Sequence, residues 1–171
     1  MVPAPRKTHW PPVIMLFLLA PVCGELLSSS APPVEFFNPL FLVLLSVLYG
    51  GGALLCRELT VRWRKGLPTL LLLGLAYGMV EEGLMVKSFF NANWMDAGVL
   101  GAYARWGGVN WLWSLNLTLY HAVVSILIPV TLTELYFRDR KGAPWLSTKS
   151  LATVTALFGA DVLFGLFFMS N

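Results

Sequence analysis

The dominant pattern along the chain is a series of long apolar runs separated by short clusters of charge. Five runs stand out, at about 12–27, 36–56, 68–89, 109–137 and 150–169. Each approaches the ~20 residues an α-helix needs to cross ~30 Å of hydrocarbon, and the first is the shortest. Pro12 and Pro68 fall in the first turn of their helices, where a missing N–H had no intrahelical partner anyway. The pattern predicts an all-α helical transmembrane bundle of about five spans, a single integral membrane domain over 1–171, with no internal repeat and no soluble unit.

The charge clusters set an expected orientation. Arg6 and Lys7 precede the first run. Arg57, Arg62, Arg64 and Lys65 fill the link after the second, and Arg138, Arg140, Lys141 and Lys149 the link after the fourth. Ten of the twelve Lys and Arg therefore fall on one side, with Lys87 and Arg105 on the other. Basic links stay in the cytoplasm, so the amino terminus is expected inside and the carboxy terminus outside. Lys87 is expected to snorkel to the outer interface. The link FFNANWMDAGVLGAYARWGGVNW is rich in aromatics and glycine, and Trp94, Trp106, Trp111 and Trp113 are expected at headgroup depth. Another reading of the first run is a cleaved secretory signal, with Arg6 and Lys7 as its basic start and SSSA at its end.

Composition agrees with a membrane class. Of 171 residues, 57% are hydrophobic and only 12% charged, where soluble domains run near 25% charged. The net charge of +3 is too small and scattered for nucleic acid. The partners implied are the lipid bilayer and a second copy of the chain or another membrane subunit. Cys23 and Cys56 lie in different apolar runs at no metal-ligand spacing and read as packing thiols. Gly74 and Gly78 form a GxxxG pair, and Gly50, Gly51 and Gly52 a second small patch, both suited to close helix contact.

Against this background the ionisable residues inside the runs are conspicuous. At ~1.5 Å rise per residue, Glu25, Glu81 and Glu82 lie roughly 20 Å from the cytoplasmic ends of their runs, His121 roughly 25 Å and Asp161 roughly 16 Å. Four runs thus carry an ionisable group at about one level, in the outer half of the membrane. A charge at mid-bilayer costs about 2.5–3.5 kcal/mol, so these groups are expected to face one another or a watery cavity. Ser114, Thr118, His121 and Ser125 recur at helical spacing and form a polar stripe on one face. Glu81 and Glu82 point ~100° apart on a helix, so one is expected to face the cavity and the other to find a different partner. Glu58 next to Arg57, and Glu134 one turn before Arg138, read as boundary ion pairs; His9, in the tail, reads as idle.

Three kinds of function use such a layer. A proton- or cation-coupled carrier or ion pathway would bind its ion at Glu81, Glu82 and His121. An intramembrane hydrolase or peptidase would use a glutamate as general base and His121 as electrophilic or proton-transfer partner. A non-catalytic membrane subunit or assembly factor would use the network, with Glu25, Asp161, Thr118 and Ser125, to fix helix register. Whether the chain is an enzyme stays open at this point. With one histidine at this depth the ligand set is short for a metal centre, so neither metal nor cofactor is expected.

Two resemblances follow from these residues. Glu81 and Glu82, followed in another run by His121, resemble the EExxxR and FxxxH motifs of the CAAX-protease and bacteriocin-processing intramembrane proteases. Val86 stands at that family's arginine position, Leu117 at its phenylalanine, and the third-motif histidine has no counterpart beyond Asp161. That resemblance implies a peptidase in which the glutamates and His121 do the chemistry. The strings LYGGGALLCREL, LLLGLAYGMVEEGL and GVNWLWSLNLTLYHAVVSILIP resemble a family of bacterial and archaeal polytopic membrane proteins without assigned activity. This second resemblance implies a multi-pass protein of a prokaryotic plasma membrane and nothing about chemistry.

Overall fold

A computed structural model of the protein describes residues 11–168, so Arg6, Lys7 and His9 lie outside the described residues. Helix α1 runs Pro12–Leu26, α2 is the short turn Pro33–Phe36, and α3 runs Pro39–Arg62. Helices α4 (Leu67–Met85), α5 (Trp111–Tyr136) and α6 (Thr148–Phe168) complete an all-α bundle. Helices α3 to α6 are each long and apolar enough to cross a membrane, and α1 is apolar but shorter. Large apolar side chains such as Leu40, Val43, Leu72, Leu115, Leu157 and Phe167 point outward, as a surface bathed in lipid requires.

Local sequence explains the helix starts. Pro12, Pro39 and Pro68 occupy first-turn positions. The Asn38 side chain accepts from the N–H groups of Leu40 and Phe41, and Asn110 accepts from Trp113 N–H at 3.0 Å, both satisfying donors a helix leaves orphaned. Between α4 and α5, strand β1 (Arg105–Trp106) pairs antiparallel with β2 (Val109–Asn110). Gly107 and Gly108 carry the turn at φ +60° and +82°, the left-handed pair that a two-residue hairpin demands.

Two helix ends depart from the hydropathy pattern. Helix α3 continues past the expected end at Cys56 because the next charges are buried and paired. Arg57 is 1% exposed and Glu58 0%, with Nη1 to Oε1 at 2.9 Å. Arg57 also donates to Glu134 at 3.2 Å and to the Ala143 carbonyl at 2.7 Å, and stacks 3.5 Å over Trp145. Glu134 therefore pairs with Arg57, not with Arg138, whose Nε donates to the Leu135 carbonyl. Helix α4 stops at Met85, before the expected end at 89, because Lys87 turns the backbone to φ +57°. Its ammonium donates to the Leu166 carbonyl at 3.2 Å, tying the end of α4 to α6.

Small residues bring the helices together. A methyl group on Gly74 would stand 2.9 Å from Ala122 Cα, and one on Gly78 would stand 3.0 Å from His121 Cβ. The GxxxG face of α4 is thus the contact with α5, and it holds His121 beside the end of α4 that carries Glu81 and Glu82.

Candidate functional site

Four helices widen into a π-helical turn at the same end of the bundle. The turns are Val22–Leu26 in α1, Ser46–Gly50 in α3, Met79–Met85 in α4 and His121–Leu127 in α5. Glu25, Tyr49, the Glu81–Glu82 pair and His121 each belong to one of them. A π turn inserts a residue into the helical ladder and re-aims its side chains, which is why such turns gather at working sites.

The re-aiming changes what the two glutamates do. They do not diverge to separate partners: Glu82 Oε1 lies 3.1 Å from His121 Nε2, and Glu81 Oε2 lies 3.2 Å from Nδ1. The Nδ1 hydrogen bond goes to Ser125 Oγ at 3.0 Å, and Glu81 Oε2 sits off hydrogen-bonding geometry with every described group. Around the pair runs an orienting chain. Trp113 donates its indole N–H to Ser88 Oγ at 3.2 Å, and Ser88 donates in turn to Glu82 Oε2. Glu82 is therefore held by its rear oxygen, with its front oxygen facing the imidazole.

These groups line a cavity of about 470 Å³ that reaches from Ser28, Ser29 and Ser30 and the loop residue Asp96 inward to Glu81, Glu82 and His121. Glu25 and Asp161 stand on its wall, and among the described residues no lysine or arginine does. Tyr49 donates its hydroxyl to Glu25 Oε1, and Tyr120 donates to the Gly24 carbonyl at 2.8 Å. Asp161 is 6% exposed, and neither of its carboxylate oxygens has a hydrogen-bond partner among the described residues. Three ligand-bearing side chains, Glu81, Glu82 and His121, offer donor atoms within 4.8 Å of one another.

Of the site residues expected from sequence, Glu25, Glu81, Glu82, His121 and Asp161 share the cavity. Ser125 backs the imidazole from outside it and is 0% exposed. Thr118 belongs to the helix contact, its Cα lying 3.2 Å from where a methyl on Gly78 would be. Tyr49, Ser88 and Asp96 are absent from the expectations drawn from sequence, and Trp113, expected as an interfacial anchor, is instead buried and lines the cavity. A tyrosine beside the Gly50–Gly52 patch is a usable signal; Ser88 lies in a turn and Asp96 in the short 3-10 segment Met95–Gly101, kinked at Gly98, where α-helical spacing carries no information about direction.

Residues 14–171 match the family model described as an uncharacterized membrane protein family, so the chain belongs to that family. No curated protein and no solved structure matches it. The CAAX-protease resemblance gains no support from these comparisons, whereas the resemblance to polytopic proteins without assigned activity agrees with the family found.

Proposed function

We propose that this member of an uncharacterized membrane protein family binds and passes a small cation, proton or metal ion, through an acidic niche built on Glu81, Glu82 and His121. One observation carries the reading: five carboxylic acids and one imidazole line a single cavity with no lysine or arginine among the described residues to neutralise them. Positive charge must then arrive from outside the side-chain set, since uncompensated carboxylates at depth are costly. By the distribution of basic residues, the mouth at Ser28–Ser30 and Asp96 is the outer one, in a prokaryotic plasma membrane. At the far end of the bundle Arg57, Glu58 and Glu134 close on one another, so passage across would require that seal to open.

The test is ion flux in proteoliposomes reconstituted with the full chain, followed by an entrapped pH dye under an imposed gradient. Wild-type protein should dissipate the gradient faster than empty vesicles, and Glu82→Gln and His121→Ala should return the rate to the empty-vesicle level. Flux that is unchanged in both variants would sink the reading.

A second reading, a hydrolase with Glu82 as general base, is favoured by the 3.1 Å Glu82–His121 contact at a cavity wall. Ser125 cannot serve as its nucleophile, because it is fully buried behind the imidazole; water would have to attack. Release of peptide fragments from a membrane substrate, lost in Glu82→Gln, would favour this reading over ion passage.

A further inference from the structure

We infer that Glu81, Glu82 and His121 form a binding site for one divalent first-row transition-metal ion; this rests on, and narrows, the cation reading above. The starting point is the imidazole. If Nδ1–H donates to Ser125 Oγ at 3.0 Å, the Nε2 lone pair faces Glu82 Oε1 at 3.1 Å. In the other tautomer Nε2–H donates to Glu82 Oε1 as an ordinary hydrogen bond; with the proton on Nδ1 the pair becomes two acceptors that a cation can bridge. Two donors bound to one ion at ~2.1 Å with angles near 90–110° lie about 3.0–3.4 Å apart, which is the spacing observed.

The third donor is close. All three donor atoms fall within 4.8 Å, against about 4.2 Å for the widest pair in an octahedral shell with ~2.1 Å bonds. Glu81 Oε2 rests 3.2 Å from Nδ1, so a rotation of the Glu81 side chain toward the Nε2 edge of the ring would complete the set. Glu81 is 4% exposed and its Oε2 has no hydrogen-bond partner among the described residues. Asp161, on the same cavity wall, likewise leaves both oxygens unsatisfied. This contrasts with the opposite end of the bundle, where the buried Arg57 and Glu58 are paired. Unsatisfied buried acids recur only around this cavity among the described residues.

The supporting contacts are those a metal site requires. Ser125 fixes the imidazole through its other nitrogen, and Ser88 and Trp113 fix Glu82 through its rear oxygen, so both ligands are held from behind. One imidazole with carboxylates selects borderline ions such as Mn²⁺, Fe²⁺, Co²⁺ or Zn²⁺. It does not favour Cu(I), which wants thiolate or thioether sulfur, nor Mg²⁺ or Ca²⁺, which want oxygen alone. Neither Cys23 nor Cys56 lines the cavity.

The test titrates metal-stripped, full-length protein in nanodiscs with Zn²⁺ and with Mn²⁺ by calorimetry. The expected result is one ion per chain, with affinity lowered at least 10-fold in Glu82→Gln and in His121→Ala, and unchanged in Asp139→Asn, which lies outside the cavity. A measurement independent of variant folding is pulsed electron paramagnetic resonance on Mn²⁺-loaded wild-type protein, which should report coupling to one imidazole nitrogen. Absence of binding, affinity equal in all variants, or bound Mn²⁺ without nitrogen coupling would each overturn the metal site. Proton flux in metal-free buffer that is lost in Glu82→Gln, with no ion bound, would overturn it while sparing the broader cation reading; absence of both flux and binding ends both.

Discussion

Replacing Gly74 and Gly78 together by alanine tests whether helix contact sets the geometry of the niche. The added methyl groups would stand 2.9 Å from Ala122 Cα and 3.0 Å from His121 Cβ, where carbons prefer about 3.5–4.0 Å. Helix α5 must therefore retreat from α4 by about 0.5–1 Å. Overpacking of this kind costs about 1–3 kcal/mol per site, offset by up to about 1 kcal/mol per site because alanine favours helix over glycine. The net for the pair is a loss of roughly 2 kcal/mol, near 30-fold in the folded-to-unfolded ratio. His121 rides on α5 and Glu82 on α4, so the same retreat stretches their 3.1 Å contact beyond hydrogen-bonding range. Equilibrium unfolding in mixed micelles, followed by tryptophan fluorescence, reads the first effect; ion flux or metal affinity reads the second. Gly159→Ala is the control, since no atom lies within 4 Å of its added methyl, and it should be neutral or mildly stabilising. A double variant as stable and as active as wild type would refute the packing argument.

Arg57→Ala should destabilise by about 1–3 kcal/mol, because the fully buried Glu58 loses one guanidinium partner while keeping Arg62 and the Trp145 N–H. The double change Arg57→Met with Glu58→Met should cost clearly less, and thermal denaturation of both variants in detergent decides the order. Ser88→Ala removes the donor that holds the rear oxygen of Glu82 and should weaken metal affinity by roughly 10-fold while leaving the melting temperature within a few degrees. Arg64 has φ +54° just past the end of α3, so Arg64→Gly should stabilise by up to about 1 kcal/mol, measured by the same unfolding assay. Cys23 and Cys56 are both buried and free; folded protein should resist maleimide until denaturant is added, and rapid labelling of either in the native state would contradict the packing described.

Hydropathy alone carried the helical architecture, because burial in lipid forces apolar runs of helical length and satisfied backbone, and the five runs lie over α1 and α3 to α6. It also singled out Glu81, Glu82 and His121, since an ionisable group in such a run is conspicuous by its cost. Ideal helix geometry, however, sent the two glutamates in different directions. The π-helical turns bring both onto one imidazole, and nothing in a 3.6-residue period announces an inserted residue. The same limit applies to Arg57 with Glu134 and to Ser88 with Glu82, pairs whose partners come from separate elements or irregular chain. Local pattern decides what must be buried and in what form. Which polar group meets which depends on helix register and backbone irregularity, and for α4 against α5 the close approach at Gly74 and Gly78 is a property of the packed bundle.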